Sequence, residues 1–145
     1  MADFCDPPKH LISLNECKAV ILPSFPANER VVTLLDDNSI AVFIKNIESS
    51  PSWADEELLK YLGEPRLPQI VVFAAISDPD LVATCLVALQ IGFEVFAVIA
   101  DPDLSNAHNL LAWVRLSDNI VTVLSMKQFV TELNLVKSVS RQKSV

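Results

Sequence analysis

The chain has 145 residues, of which 51% are hydrophobic, and it carries a formal net charge of -7. This length suffices for one domain with a buried core, and the acidic balance excludes nucleic acid and anionic membranes as partners, because both require a basic protein surface. The sequence contains two glycines, Gly63 and Gly92, which are too few for the glycine-rich loops that bind nucleotide phosphates.

The cysteines and the first residues of the chain bear on its cellular compartment. Cys5, Cys17 and Cys85 are odd in number and lack the spacing of metal ligands, so the sequence predicts neither a disulfide framework nor a zinc site. Met1–Lys18 contains prolines and charges but not the apolar segment of a signal peptide. We therefore expect a cytoplasmic protein that binds no metal and no cofactor.

The first third of the chain predicts two strands with a helix between them. Residues 1–17 are polar and proline-bearing, and we expect them to form an N-terminal lead-in. A strand is predicted over Lys18–Leu22, a helix over Ala27–Leu35 and a second strand over Ile40–Ile44. This second strand brings Lys45 to its carboxyl end.

A further helix is predicted over Trp53–Leu62, with Ser52 as its N-cap and Gly63 at its end. Glu56 and Glu57 fall in its first turns, where the helix dipole favours acidic side chains. Trp53 has two interpretations: its ring lines a pocket, or it packs this helix against the sheet.

The most apolar part of the sequence is residues 69–103. Gln69–Ala75 is a β-branched and aromatic run that predicts a strand buried on both faces. Ser77–Asp80 then predicts a helix start, because a small acceptor side chain can cap free amides and proline suits the first turn. Leu81–Ile91 predicts a buried helix that ends at Gly92.

A second strand, Phe93–Ala100, follows and leads into another Asp-Pro-Asp helix start at Asp101–Asp103. Leu81–Ala100 as a whole is long enough to cross a bilayer. Its second half is β-branched and aromatic, however, and Gln90 and Glu94 lie within it. A buried helix followed by a buried strand is therefore the preferred interpretation, and we expect no membrane span.

The last third predicts helix, strand and helix. An amphipathic helix is expected over Leu104–Leu116, a strand over Ile120–Leu124 and a helix over Met126–Leu135. One face of the first helix is formed by residues at helical spacing, Leu104, His108, Leu111 and Val114. Residues 137–145 lack apolar periodicity and predict a disordered basic tail.

The alternation of strands and helices predicts one α/β domain over residues 18–136, a three-layer αβα sandwich around a mostly parallel, Rossmann-like sheet of five or six strands. In such sheets ligands bind outside the carboxyl ends of the strands. Lys45 follows one strand and Asp80 opens the helix after another, so we expect these two side chains to approach each other.

Several residues of the central block carry a resemblance to a known family. They are Ala75-Ile76-Ser77 at a strand exit, Thr84, Ala88, Gly92-Phe93 and Ala100-Asp101, followed by Ala112–Leu116 and Phe129–Leu133. In this order the pattern, over roughly residues 40–135, resembles the isochorismatase-like superfamily of cysteine hydrolases. The resemblance implies a pocket that includes Trp53, Ala75, Ile76 and Ser77.

The sequence departs from that family at its catalytic residues. Counting back from Gly92, Asp80 occupies the position of the nucleophilic cysteine, whereas Lys45 matches the family lysine. The family's third member, an aspartate after the first strand, has no clear counterpart near Pro23-Ser24. A carboxylate held ionised at a helix N-terminus is a weak nucleophile towards an amide. Cys85 lies more than one turn into a buried helix and is interpreted as a core residue.

The resemblance and this departure together predict a catalytically inactive hydrolase-fold protein that acts as a binding or oligomeric partner. Homo-oligomers, hetero-oligomers with active relatives and a small-molecule ligand are all compatible with this hypothesis. Lys45 and Asp80 are then remnants of a catalytic site. The alternative is an active small-molecule amide or ether hydrolase with altered catalytic residues. His10 and His108 are too few and too far apart in sequence for the metal site of nicotinamidases.

Overall fold

A computed structural model gives the fold, and it describes residues 12–13, 16–26, 28–45, 55–63, 67–100 and 103–143. Five strands alternate with five helices in this part of the chain. The strands are β1 (Cys17–Ile21), β2 (Ala41–Ile44), β3 (Gln69–Ala75), β4 (Glu94–Ala100) and β5 (Thr122–Ser125). The helices are α1 (Asn28–Asp37), α2 (Glu56–Gly63), α3 (Pro79–Ile91), α4 (Ala107–Asp118) and α5 (Met126–Lys143).

All five strands are parallel, in the order β2-β1-β3-β4-β5. The chain moves from β1 outward to β2, then returns to place β3 on the other side of β1. The sheet therefore has a topological switch point between β1 and β3, and the crevice outside their carboxyl ends is where open α/β sheets bind ligands.

Alternating side chains of the strands make two cores, one on each face of the sheet. On one face, Val20 of β1 joins a cluster that includes residues of α2, α3 and α4. On the other face, Ala19 and Ile21 join a cluster with residues of α1 and α5. β1 is buried along its whole length and β4 along most of its length, because both faces of the sheet are covered. The predicted three-layer αβα sandwich is confirmed.

The start and end of α3 follow the sequence signals. Asp78 is the N-cap, its side chain accepts from the amide of Asp80, and Pro79 opens the helix. Gly92 closes the helix at φ 115°, in the left-handed region that a side chain would disfavour. Leu81–Ala100 is thus α3 followed by β4. Among the described residues, no helix combines the length and apolarity that a bilayer span needs.

The structure corrects three predicted features. Helix α2 starts at Glu56 rather than at Trp53, and the residue that caps its amides is Asp55. Helix α5 continues to Lys143 through most of the predicted disordered tail, since residues 137–143 contain no glycine or proline to end it. Residue 17 belongs to β1, so the domain begins within the predicted lead-in.

A further correction concerns the predicted apolar face of α4. Leu104, His108, Leu111 and Val114 are exposed, whereas the helix packs on the sheet side with other residues. Leu116 is fully buried there, and Ala112 and Trp113 pack against the same core. Trp113 and Leu116, three positions apart, supply this contact because residues at that spacing share a helix face.

Candidate functional site

The crevice at the switch point is crossed by a hydrogen bond between the loops that follow β1 and β3. The Ser24 hydroxyl donates to Oδ2 of Asp78 at 2.5 Å and accepts from the amide of Ala75 at 3.1 Å. The other carboxylate oxygen of Asp78, Oδ1, accepts from the amide of Asp80 at 2.8 Å. The polar groups of these loops therefore satisfy one another across the crevice.

Lys45 lies at the carboxyl end of β2 and is buried, with an exposed fraction of 5%. Its ammonium forms an ion pair with Oδ2 of Asp55 at 2.9 Å. The second oxygen of Asp55 accepts from the amide of Leu58 at 3.1 Å, in the first turn of α2. Lys45 thus has a carboxylate partner that also caps a helix, which gives the pair a structural role.

A second buried lysine lies at the opposite end of α2. Lys18 of β1 is fully buried, and its ammonium donates to the carbonyl oxygens of Tyr61 and Leu62. It also lies 4.8 Å from the centre of the Tyr61 ring, while the Tyr61 hydroxyl donates to the carbonyl of Ala19. The C-terminus of a helix attracts cations, so these contacts offset the cost of burying the charge. α2 is therefore held by one lysine at each end.

Asp80 lies in the first turn of α3 and is partly buried. Its amide donates to Asp78, and its carbonyl accepts from the Thr84 hydroxyl at 2.6 Å. β1 lies between the strand that precedes Asp80 and the strand that precedes Lys45. The predicted approach of Lys45 and Asp80 stays a prediction, and the ion pair found for Lys45 is the one with Asp55.

The two cysteines in the described part of the chain are buried core residues. Cys85 is fully buried in α3, and burial raises the pKa of its thiol to about 12. Burial also raises the pKa of Cys17 to about 12. Nucleophilic cysteines are thiolates with lowered pKa values, so neither side chain has the character of a hydrolase nucleophile.

The predicted pocket residues lie in different surroundings. Ile76 is buried in the core between the sheet and α3, Ala75 is partly buried and Ser77 is exposed. Trp53 lies outside the described residues, and so do Cys5 and His10. His108 is exposed on α4, and no three His, Cys, Asp or Glu side chains of the described ranges come together as metal ligands.

A separate open cavity of about 420 Å³ lies where β5 leads into α5. Its lining includes Ser125 and Gln128, which bond to each other's backbone amides at 3.1 and 2.8 Å. This reciprocal pair is a capping box that satisfies the free amides of the first turn of α5. The polar side chains of Ser125 and Gln128 are thus accounted for by the helix start.

Comparison with solved structures identifies the fold. One similar structure is YcaC from Escherichia coli, described as an octameric hydrolase of unknown specificity. It shares 13% identity with this chain over 83% of this chain and 80% of that chain, with a TM-score of 0.57. The other is YcaC from Pseudomonas aeruginosa, described with hexane-2,5-diol and covalent acrylamide. It shares 13% identity over 88% and 84% of the two chains, with a TM-score of 0.60.

The chain has the isochorismatase-like fold. The predicted resemblance is thereby confirmed at the level of architecture. No protein-family model matches the sequence, and no curated protein matches it. At 13% identity the likeness concerns the fold, so the chemistry has to be argued from this chain's own residues.

Sequence reasoning singles out Lys45 but misses its partner Asp55, because the sequence predicts Ser52 as the cap of α2. It also misses the bond between Ser24 and Asp78, which are 54 positions apart. Each residue has a signal in the sequence: Asp55 directly precedes two glutamates that suit a first helical turn, and Ser24 comes two residues after a predicted strand.

Proposed function

We propose that this chain is a catalytically inactive hydrolase-fold protein that acts as a binding or oligomeric partner. The observation that carries the proposal is the start of α3, where Asp80 stands in the first turn at the place the family resemblance gives to the nucleophile. Its carboxylate cannot supply thiolate chemistry, and a carboxylate is a poor nucleophile towards amides.

The state of the neighbouring groups supports the loss of catalysis. Lys45 is buried against Asp55, whose carboxylate is engaged by the amide of Leu58. Ser24 stands after β1, where the family resemblance calls for an aspartate, and its hydroxyl donates to Asp78. A general base must reach the proton that it removes, and a serine that is already a hydrogen-bond donor is not such a base.

Two observations support the oligomeric part of the proposal. The YcaC protein of Escherichia coli is described as octameric. In this chain, three large apolar side chains of α4, Leu110, Leu111 and Val114, are exposed. Neighbouring apolar side chains that are exposed on one helix can serve as an association surface. We call these three residues the outer face of α4.

The test is a hydrolysis assay with a panel of small amides and vinyl ethers, using the native chain and Asp80→Cys. The native chain should give the rate of the protein-free control. Turnover by the native chain, abolished in Asp80→Asn, would overturn the proposal in favour of an active hydrolase with altered catalytic residues.

Thiol alkylation by acrylamide gives a second readout of the same site. The thiol introduced by Asp80→Cys lies at a helix N-terminus, where the dipole lowers a thiol pKa, so it should react faster than an ordinary exposed thiol. Asn134→Cys, at an exposed position within α5 and away from its N-terminus, is the matched control. Equal alkylation rates would mean that the site has lost its thiolate-stabilising environment as well as its nucleophile.

A further inference from the structure

Strand β2 is an edge of the sheet, and part of its backbone faces outward. The amide of Lys45, which follows β2, donates to the carbonyl of Ile21 in β1 at 2.9 Å. Because the backbone of a strand alternates in direction from one residue to the next, Phe43 also faces β1, whereas Val42 and Ile44 direct their N–H and C=O groups away from the sheet. β2 is the first strand in the order β2-β1-β3-β4-β5, so no strand of the described residues pairs with this side.

The side chains of β2 leave apolar surface beside these outward groups. Val42 packs against the core between the sheet and α1, and Ile44, two residues further on, lies on the same face with an exposed fraction of 51%. Natural sheets protect their edges with charged side chains, prolines or bulges. Ala41–Ile44 contains no charged residue and no proline, and it pairs with β1 without a bulge, so its short length is its one protective feature. This edge is therefore suited to accept a further strand.

The opposite edge of the sheet is less open. All the side chains of β5 are at least partly buried, whereas Ala41 and Ile44 of β2 are exposed. The amide of Ser125 at the end of β5 donates to the side chain of Gln128, in the capping box that starts α5. β2 is thus the edge that leaves both apolar side chains and backbone groups to a partner.

Acidic side chains border the outer edge of β2 on both faces of the sheet. On the α2 face, the ring centres of Tyr61 and of Phe43 in β2 are 5.4 Å apart, and Glu57, four residues before Tyr61, lies on the same side of α2. On the α1 face, the right-handed crossover from β1 to β2 turns one side of α1 towards the edge, and this side carries Glu29 and Asp36, which are two helical turns apart. All three acidic side chains are exposed.

The other charges around this edge do not cancel the acidic border. Lys45 is buried and paired with Asp55, and Lys18 is buried against the end of α2. Glu16, which is exposed just before β1, adds a further negative charge. The remaining charged side chains of α1 and α2 are two acids and two bases, which together add no net charge, namely Arg30, Asp37, Glu56 and Lys60. The described surroundings of the edge are thus net negative.

We infer that the outer edge of β2 binds an extended, basic segment of a partner protein, which pairs with it as an additional strand; the inference rests on the proposed binding function and specifies the chemistry of a partner. Strand addition of this kind takes its affinity from backbone hydrogen bonds and its specificity from alternate side chains. Val42 and Ile44 each offer one donor and one acceptor for the backbone bonds. Apolar side chains of the segment cover Ile44, and its cations face Glu29, Asp36 and Glu57.

The same charges disfavour a second copy of this chain as the occupant. A two-fold pairing of β2 with itself runs the two strands antiparallel and lays the two α1 helices side by side, also antiparallel. Glu29 of each copy then faces Asp36 of the other, and like charges that are brought together oppose association. A basic partner meets no such repulsion.

The test uses a short, fluorescently labelled synthetic peptide that alternates valine with lysine, and its binding to the full chain is measured by fluorescence anisotropy. A peptide of the same length with glutamate in place of lysine is the control for charge. The lysine peptide should bind, more weakly as salt is added, and the glutamate peptide should bind at least tenfold more weakly. Equal affinities for the two peptides, or no binding of the lysine peptide, would overturn the inference.

Two substitutions test whether the peptide binds at β2. Val42→Pro removes an outward N–H and keeps the bonds to β1, so it should weaken binding about tenfold, whereas Val42→Thr keeps the amide and should bind like the native chain. Ile44→Lys places a cation on the edge and should also weaken binding of the lysine peptide, whereas Leu135→Lys, at a similarly exposed position on α5, should not. Circular dichroism checks that each variant is folded. A folded Val42→Pro or Ile44→Lys variant that binds like its control contradicts the inference.

Hydrogen exchange separates strand addition from other modes of binding. The amides of Val42 and Ile44 should exchange more slowly when the lysine peptide is added, because they gain hydrogen bonds. Slow exchange of the same amides in a self-associated chain without peptide would instead assign the edge to a second copy and overturn the inference. Sedimentation of the full chain alone measures self-association, and the hydrolysis assay measures catalysis, so a failure of peptide binding is distinguishable from a failure of the proposed function.

Discussion

The crevice at the carboxyl edge of the sheet and the outer face of α4 differ in how their side chains are satisfied. In the crevice, Ser24, Asp78 and the amide of Asp80 bond to one another, and nearby Lys45 is buried against Asp55. On the outer face of α4, large apolar side chains have exposed fractions of 44% to 67%. In the crevice the polar groups bond to one another, whereas on α4 apolar side chains stay exposed among the residues that the structure describes.

This difference indicates where the chain can interact with other molecules. Catalytic groups need reactive atoms that reach a substrate, and the crevice uses its polar atoms to hold loops and helices together. Association needs apolar surface that is removed from water on binding, and the outer face of α4 offers it. The fold shared with the YcaC structures is thus combined with an exposed apolar face on α4.

The largest effect is expected from opening the buried ion pair beside the crevice. Lys45→Ala leaves the Asp55 carboxylate buried without its cation, and we expect a loss of about 3–5 kcal/mol of unfolding free energy in urea titrations. Lys60→Ala, at an exposed position of α2, is the control and should change stability by less than about 0.5 kcal/mol. A loss below about 1 kcal/mol for Lys45→Ala would show that the pair does not hold α2 on the sheet.

The buried thiols of Cys17 and Cys85 should make the unfolding free energy depend on pH. Burial raises the pKa of Cys17 and Cys85 to about 12. As pH rises past about 9, the thiols lose their protons in the unfolded chain but keep them in the folded chain. The contribution of the two thiols to the free energy of unfolding is therefore complete below pH 9 and falls towards pH 12. Between pH 8 and pH 10 we expect a loss of about 1–2 kcal/mol of unfolding free energy for each thiol, measured by urea unfolding under reducing conditions.

Cys85→Ala checks the origin of that pH dependence. The variant should be less stable at pH 8, because it removes a buried sulfur from the core, but it should lose about half as much stability between the two pH values as the native chain. An unchanged pH dependence in this variant would mean that other groups cause it.

A moderate effect is expected from Ser24→Ala, which removes the bond across the crevice. The substitution leaves the amide of Ala75 and one oxygen of Asp78 without this partner, so we expect a loss of about 1–2 kcal/mol in thermal or urea unfolding. Ser77→Ala, an exposed serine of the same edge, should be nearly neutral. Equal effects of the two substitutions would show that the bond does not close the crevice.

The smallest effect is expected from Ile120→Gly at the end of α4, which should increase folding stability and decrease association. Ile120→Gly relieves a left-handed conformation at φ 64° and should stabilise the folded chain by about 1 kcal/mol. The same substitution removes exposed apolar surface, so association should weaken. Increased stability without weaker association would place Ile120 outside the contact.

The alternation of strands and helices could be predicted from local sequence signals. The β-branched run Gln69–Ala75, the Asp-Pro-Asp helix start and Gly92 each determine backbone geometry within a few residues, and the structure agrees with them. Lys45 could be recognised because it follows a predicted strand. These inferences succeed because caps, turns and strand patterns depend on neighbours in the chain.

The partners of the candidate site could not be predicted in the same way. Helix α2 starts at Glu56, three residues later than predicted, and Asp55 is its cap. This position brings the Asp55 carboxylate next to Lys45. The bond from Ser24 to Asp78 depends on β1 and β3 being neighbours in the sheet, although β2 lies between them in sequence. Strand order is a property of the whole fold.

Local pattern and residue identity are sufficient to predict a parallel α/β chain and to show that the start of α3 has no cysteine. The tertiary structure decided which face of α4 meets the core. The spacing of Leu104, His108, Leu111 and Val114 is that of a buried face, yet Trp113 and Leu116 occupy the sheet side. Periodicity defines an apolar face, and the packing of neighbouring elements determines whether that face is covered.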